Sequence, residues 1–169
     1  MPANIEIKAH ISDFERLQKL AAQLSEAPCQ IIPQVDTFFN CPHGRIKLRE
    51  LSADHGQLIY YQRADIAGPK HSEYQIFETT NPAGLKSILS DAYGIRGVVT
   101  KTRHLYLVGQ TRIHLDVVEG LGTFLELEVV LQPGQTDAEG QQIAHQLMHQ
   151  LGIEDGDLID AAYMDLVEK

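Results

Sequence analysis

Tryptophan is absent from this 169-residue chain, cysteine occurs twice, and 14 lysines and arginines face 23 aspartates and glutamates. Cys29 and Cys41 form neither a CxxC pair nor a dense disulfide framework, which favours a reducing cytoplasm. The net charge of −9 argues against a general nucleic-acid binder, because such proteins need an overall basic surface. No apolar run approaches a membrane span, and residues 1–6 lack a signal-peptide core. We therefore expect a cytoplasmic protein with no nucleic-acid or membrane partner.

The rest of the composition is that of one ordinary folded domain. Hydrophobic residues make up 43% of the chain and charged residues 22%, and the length suffices to bury a full core. No linker, low-complexity run or internal repeat divides the chain. We predict a single domain over residues 1–169.

Alternation of polar and apolar residues predicts about eight strands in hairpin-like succession. They are expected at residues 4–10, 36–39, 44–50, 57–63, 73–79, 98–108, 111–117 and 124–131. Apolar residues at helical spacing predict three helices, which begin at capping signals near Ser12–Glu15, Asn81–Pro82 and Thr136–Glu139. Residues 66–70 are expected to form a loop. The predicted fold is α+β: an antiparallel sheet, or a closed or nearly closed β-barrel, with helices packed outside.

One predicted strand alternates three cations, Arg45, Lys47 and Arg49, with Ile46 and Leu48. Because successive side chains of a strand point to opposite faces, the cations share one face and the aliphatic pair the other. Three like charges at this spacing repel one another unless an anion or a set of carboxylates lies between them. Taken alone, the triplet fits either a solvated face or an anion-binding wall.

The same sorting of charge recurs along the chain. Eight of the 14 basic residues lie on alternating strands: Lys8, Arg45, Lys47, Arg49, Arg63, Lys101, Arg103 and Arg112. Four carboxylates accompany them: Glu6, Asp116, Glu126 and Glu128. One interpretation is a surface with weak cross-strand ion pairs. The other is a barrel with a charged interior, which needs a ligand because burying unpaired charge is costly. A polyphosphate with bound divalent cations would be such a ligand.

A series of short motifs runs from one end of the chain to the other. They are NIEIK at 4–8, DTFF at 36–39, RIKLR at 45–49, LIYYQR at 58–63, GPK at 68–70, KTR at 101–103, LDVVEGLG at 115–122 and FLELE at 124–128. In this order and spacing they resemble the CYTH domain superfamily, with NIEIK in the place of its ExExK signature. That superfamily includes class IV adenylyl cyclases, thiamine triphosphatases and inorganic triphosphatases.

The resemblance implies a tunnel-like antiparallel β-barrel that holds a triphosphate inside, with Mg²⁺ or Mn²⁺ as cofactor. By matching position, the metal ligands would be Glu6, Glu126, Glu128 and, as a further acidic contact, Asp116. The triphosphate ligands would be Lys8, Arg45, Lys47, Arg49, Arg63, Lys70, Lys101, Arg103 and Arg112. Catalytic roles would fall to Lys8, Lys101, Arg103 and Asp116. Arg112 is assigned mainly because it shares a strand face with Asp116. Lys70 could equally be a loop cation without a ligand-binding role.

The implied function is that of a metal-dependent enzyme acting on a small-molecule triphosphate. One reaction is that of a class IV adenylyl cyclase, which converts ATP to cyclic AMP and pyrophosphate; the other is triphosphate hydrolysis to orthophosphate. No residue decides between them by position alone. The first Glu of the ExExK signature is Asn4 here, and an uncharged amide would lower metal affinity. The alternative is therefore a non-catalytic nucleotide- or polyphosphate-binding protein, and a homodimer is compatible with either function.

Three further residues carry weaker signals. His114 lies two positions before Asp116 and could be either a partner for that carboxylate or a proton carrier. Tyr163 and Asp165 would either close one end of the tunnel or simply pack at the C-terminal end.

Overall fold

A computed structural model describes residues 2–168, and its strands close into one antiparallel β-barrel. The strands are β1 (Ala3–His10), β2 (Gln30–Phe39), β3 (Arg45–Ser52), β4 (His55–Arg63), β5 (Lys70–Thr79), β6 (Ile95–Val108), β7 (Thr111–Val118) and β8 (Gly122–Val130). Around the barrel they follow the order β1-β5-β4-β3-β2-β6-β7-β8, and β8 pairs with β1 to complete the circle. The predicted α+β fold with an eight-stranded barrel is confirmed.

The described part of the chain contains four α-helices outside this barrel wall, one more than predicted. They are α1 (Phe14–Leu24), α2 (Pro82–Tyr93), α3 (Asp137–Leu151) and the short α4 (Tyr163–Val167), with a 3₁₀ turn at Asp155–Asp157. None of the described helices is long and apolar enough to cross a bilayer.

The main hydrophobic core lies between the barrel wall and two helices. Strand β1 directs Ile5, Ile7 and Ala9 outward, where they pack with the outer faces of β7 and β8. Helices α1 and α3 cover these residues with apolar side chains that include Leu17 and Leu147. Because the outer face of the wall is apolar, the polar alternate residues of the same strands face the barrel interior.

A smaller core covers the outer face of β3. Leu48 is fully buried and packs with Phe39 and with Leu89 of α2, and Ile46 borders this cluster. The aliphatic residues of the basic strand are therefore its outer face, which leaves Lys47 and Arg49 on the inner face.

Two of the three predicted helix starts are confirmed. Thr136 and Glu139 form a reciprocal capping box at the start of α3, and Asn81 accepts a hydrogen bond from the Gly84 amide of α2. The prediction for α1 was wrong by one residue: Asp13, rather than Ser12, caps the helix by accepting from the Arg16 amide. Aspartate caps as well as serine does, so the sequence alone left both alternatives open.

Several strands extend further than predicted, and β2 and β5 illustrate why. Strand β2 begins at Gln30 instead of Asp36 and continues through Pro33, which sits opposite Thr102 of β6. Its pairing with β3 starts only at Val35, so the first half has a neighbour on one side, where a proline is tolerated. Strand β5 likewise begins at Lys70, within the predicted loop.

Candidate active site

The inward-facing side chains of the barrel enclose a cavity of about 280 Å³. Its charged lining consists of Lys8, Lys47, Arg49, Arg63, Lys101, Arg103 and Arg112 with Glu6, Asp36, Glu126 and Glu128. Seven cations against four carboxylates leave a formal excess of three positive charges, although the whole chain carries −9. The protein thus concentrates positive charge in its interior, as expected for a site that binds an anion.

Asp36 is the central carboxylate of one group of cations. Arg49 donates to it from Nε and Nη2, each over 2.8 Å, and Lys47 Nζ lies 3.1 Å and Lys101 Nζ 3.8 Å from Oδ2. Burial alone would raise the pKa of Asp36, but the three cations together outweigh it and hold the pKa well below its usual value. Asp36 belongs to the DTFF motif but received no role in the sequence analysis.

The same cluster lowers the pKa of its lysines. Burial, and then the positive charge of Arg49, lower the pKa of Lys47 to about 8. Burial and Arg103 hold the pKa of Lys101 well below its usual value. Both lysines therefore lie in an environment where an additional negative charge would be favourable.

Asp116 is fully buried, and both of its carboxylate oxygens already accept hydrogen bonds. Arg103 donates to both of its oxygens over 2.9 and 2.8 Å, and the Tyr163 hydroxyl donates to Oδ2 over 2.9 Å. Burial would raise the pKa of Asp116, but Arg103 and Lys101 reverse this effect and lower it. Asp116 thus faces the interior of the barrel, where it holds the Arg103 guanidinium in one orientation.

Tyr163 occupies one end of the cavity. Lys8 Nζ lies 3.9 Å and Lys101 Nζ 4.8 Å from the centre of its ring, within cation–π distance. Tyr163, the first residue of α4, therefore contacts the charged lining directly. This agrees with the expectation that it closes one end of the tunnel.

A second group, on β7, β8 and β1, combines carboxylates with a histidine. His114 Nδ1 lies 3.5 Å from Glu126 Oε1, and its Nε2 lies 3.9 Å from Glu128 Oε2. Lys8 Nζ is 3.5 Å from the other oxygen of Glu126. Burial and the nearby Arg103 lower the pKa of His114. His114 thus lies beside the two glutamates of β8. It does not pair with Asp116, whose oxygens are bound by Arg103 and Tyr163 instead.

The donors present fit a divalent cation. His114, Glu126 and Glu128 each offer one ligand atom, and these atoms lie within 4.8 Å of one another. Asn4, two positions before Glu6 on β1, also lines the cavity, and its buried Oδ1 has no hydrogen-bond partner among residues 2–168. Glu6, opposite Glu128 in the β1–β8 register, has its pKa raised by burial and by the charge of Glu126. Metal binding would relieve that repulsion between carboxylates.

Two of the predicted ligands lie away from this cavity, and a third lines it as the partner of a carboxylate. Arg45 pairs with Asp65 at 3.0 Å and with Asp165 at 3.2 Å, and it lines a separate surface depression. Lys70 is buried and donates to the Ile66 carbonyl over 2.9 Å; burial, and then the neighbouring cations, lower its pKa to about 8. Arg112 lines the cavity but is paired with Glu128 at 2.8 Å.

The comparisons with known proteins agree with this architecture. The CYTH domain profile matches residues 2–163. The chain belongs to the CYTH family. No curated protein shows a significant match in sequence. Among solved structures, this CYTH protein is similar to a protein from Pyrococcus horikoshii, with 24% identity, coverage of 96% of this chain and 98% of that one, and a TM-score of 0.85.

Two further structural neighbours share the fold. One is a protein from Vibrio parahaemolyticus proposed to be an adenylate cyclase, with 16% identity, coverage of 98% of both chains and a TM-score of 0.77. The other is from Hippeastrum, with 16% identity, coverage of 96% of this chain and 91% of that one, and a TM-score of 0.65. It is described as a proposed adenylyl cyclase with a dominant triphosphatase activity.

Proposed function

We propose that this CYTH protein is a metal-dependent triphosphatase that binds a triphosphate inside the barrel and hydrolyses its terminal phosphoanhydride bond. The observation that carries the proposal is the charge of the cavity. Seven cations converge on a space of about 280 Å³ in an acidic protein, beside a cluster of carboxylates suited to a divalent cation. The triphosphatase activity of the structurally similar Hippeastrum protein supports the same reaction class.

Binding would rest on two pre-oriented guanidinium groups and the lysines between them. Asp36 holds Arg49 and Asp116 holds Arg103, each through two hydrogen bonds, so both side chains are fixed before a ligand arrives. Charge-assisted hydrogen bonds from such groups are among the strongest that proteins make to phosphate. Lys8, Lys47, Arg63, Lys101 and Arg112 would complete the set of phosphate ligands.

Glu126, Glu128 and Glu6 would hold the metal ion, which neutralises phosphate charge and orients the substrate when bound. In the hydrolysis, a water oxygen forms a bond to the terminal phosphorus while the bond to the bridging oxygen breaks, and diphosphate leaves. The water gives up a proton, and orthophosphate is the second product. Arg49, Arg103, Lys8 and Lys101 would stabilise negative charge on the transferred group and the leaving oxygen. Asp116 would act through Arg103 as a positioning residue.

The cavity is large enough for a triphosphate. Sites for small molecules usually range from about 300 to 1,000 Å³, and the volume here is about 280 Å³. The preference for hydrolysis over cyclisation rests on the triphosphatase activity of the Hippeastrum protein.

One observation favours a second candidate, a non-catalytic triphosphate sensor. Asn4 is buried at the position of the first glutamate of the ExExK signature and contributes no charge to the metal site. With a weaker metal site and an otherwise complete set of phosphate ligands, the protein would bind triphosphate without hydrolysing it.

The test is to incubate the protein separately with inorganic triphosphate and with ATP, in Mg²⁺ or Mn²⁺, and to identify the products. Orthophosphate from triphosphate supports the proposal, whereas cyclic AMP with pyrophosphate would replace it by the cyclase. Binding of triphosphate without any product would support the second candidate, the non-catalytic sensor. Lys47→Ala should abolish turnover, and the surface variant Lys86→Ala, which loses an outer pair with Glu50, should not.

A further inference from the structure

A histidine stands among the carboxylates of the cavity. His114 is 3% exposed, lines the cavity, and belongs to the cluster of potential metal ligands with Glu126 and Glu128. In the β7–β8 register it sits directly opposite Glu126, so both side chains project from adjacent strands to the same face of the sheet. The geometry of the strands, rather than a flexible loop, brings them together.

The ring nitrogen nearest to Glu126 has no partner of its own. Nδ1 of His114 is buried, and no residue between 2 and 168 satisfies it with a hydrogen bond. Its distance of 3.5 Å from Glu126 Oε1 is longer than an ordinary hydrogen bond. Buried polar atoms in native proteins are nearly always satisfied, by a protein group, an ordered water, an ion or a ligand, so this nitrogen has room for such a partner.

The cluster is close to the dimensions of atoms that share one ion. Two ligands at about 2.1 Å from a cation can be no more than about 4.2 Å apart. His114 Nδ1 and Glu126 Oε1, 3.5 Å apart, lie within that limit. One ligand atom from each of His114, Glu126 and Glu128 fits within 4.8 Å of the others, so the set would tighten when an ion binds. Lys8 approaches Glu126 at Oε2, the oxygen that does not face the histidine, whereas Arg112 donates to Glu128 Oε2, where an ion would compete with it.

We propose that His114 is a direct metal ligand and that this nitrogen makes the site prefer Mn²⁺ and Co²⁺ over Mg²⁺. Magnesium is bound almost entirely by oxygen, whereas imidazole suits transition-metal ions. The inference rests on the metal site of the proposed function, but it does not depend on turnover. It also accounts for Asn4: a site that gains a nitrogen ligand from β7 needs one fewer carboxylate from β1.

The test is electron spin echo envelope modulation of Mn²⁺ bound to protein first freed of metal by chelation. Wild type should show modulation from a directly bound ¹⁴N nucleus. His114→Asn should lose it, while its affinity for Mn²⁺ and Co²⁺ falls about tenfold and its affinity for Mg²⁺ stays within about twofold. Titration calorimetry measures these affinities. His145→Asn, on the exposed face of α3, is the matched control and should behave as wild type.

A labelling experiment needs no substitution and covers the case in which His114→Asn fails to fold. Wild type grown with ¹⁵N-histidine should replace the ¹⁴N modulation by that of ¹⁵N. Absence of nitrogen modulation in wild type, or its persistence in folded His114→Asn, overturns the inference even if the protein hydrolyses triphosphate. Histidine ligation without any turnover would instead overturn the proposed activity and leave the inference standing.

Discussion

Arg49 donates two parallel hydrogen bonds to the carboxylate of Asp36, from Nε to Oδ1 and from Nη2 to Oδ2, each 2.8 Å long. The pair joins neighbouring strands of the barrel, since the two residues face each other in the β2–β3 register. Lys47 and Lys101 approach the same carboxylate. One anion therefore keeps three cations together inside the barrel before any phosphate binds.

Replacing Asp36 by Asn should destabilise the ligand-free protein strongly. Breaking a buried ion pair from one side costs about 3–5 kcal/mol, because the partner charge remains buried. Urea unfolding measures the free energy, and added inorganic triphosphate should restore part of it by supplying the missing negative charge. The control is Glu78→Gln, an exposed partner of His55, which should change stability by no more than about 1 kcal/mol. Equal effects of both variants would contradict the central role of Asp36.

Binding of triphosphate should weaken as pH rises through 8. Lys47 has a pKa of about 8 in the folded protein, so its positive charge is present below that pH and lost above it. Calorimetry without metal measures the affinity for triphosphate at pH 7 and at pH 9. The fall in affinity between these values should be roughly tenfold larger for wild type than for Lys47→Met. A parallel decline in both proteins would show that Lys47 does not cause the pH dependence.

The lowered pKa of Lys47 makes folding stability rise with pH, whereas it makes triphosphate binding weaken. The pKa of Lys47 falls from 10.5 to about 8 on folding, so between these values the unfolded chain binds more protons. This lysine therefore adds stability as pH rises from about 8 to 10.5, and below pH 8 its burial is a full cost to the folded state. Lys47→Met should remove that part of the pH dependence in thermal unfolding of the ligand-free protein.

Replacing Glu126 by Gln should separate metal binding from anion binding. The substitution keeps the side-chain shape but removes a charged ligand, so turnover should fall by about 100-fold or more. Metal-free affinity for triphosphate should stay the same or increase, because the cavity becomes more positive. The exposed variant Glu73→Gln serves as the control in the same kinetic and binding assays. Full turnover in Glu126→Gln would refute the assignment of this residue as a metal ligand.

Gly140 should be intolerant of a side chain even though it lies within a helix. A Cβ atom there would come within 2.6 Å of Ile5 and of Leu131, where α3 packs on the barrel. Overpacking costs about 1–3 kcal/mol, which exceeds the gain of about 1 kcal/mol in helix propensity from glycine to alanine. Gly140→Ala should therefore lower the free energy of unfolding, while Gln141→Ala on the exposed face should leave it nearly unchanged. A stabilised Gly140→Ala would contradict the close packing.

Strand periodicity explains which features could be predicted in advance. In β1, and in β3 as far as Arg49, the apolar residues alternate with polar ones, and one face of each strand packs under helices. That pattern determines which face packs under the helices, so Lys8 and Lys47 lie on the opposite face, which becomes the inner one when the sheet closes into a barrel. Alternation alone does not place Arg63, because the apolar Ile59 and Tyr61 share its strand face; in the structure all three line the cavity.

The sequence by itself determined the strand alternation, the sorting of cations to one face and the CYTH motifs, because these depend only on local order along the chain. Tertiary structure decided which charges meet. Asp36 with Arg49, Asp116 with Arg103, and His114 with Glu126 are cross-strand neighbours. Such pairs depend on the register between strands and on closure of the barrel, which no single strand encodes. For the same reason Arg45, although in phase with Lys47 and Arg49, ends at a separate depression beside Asp165.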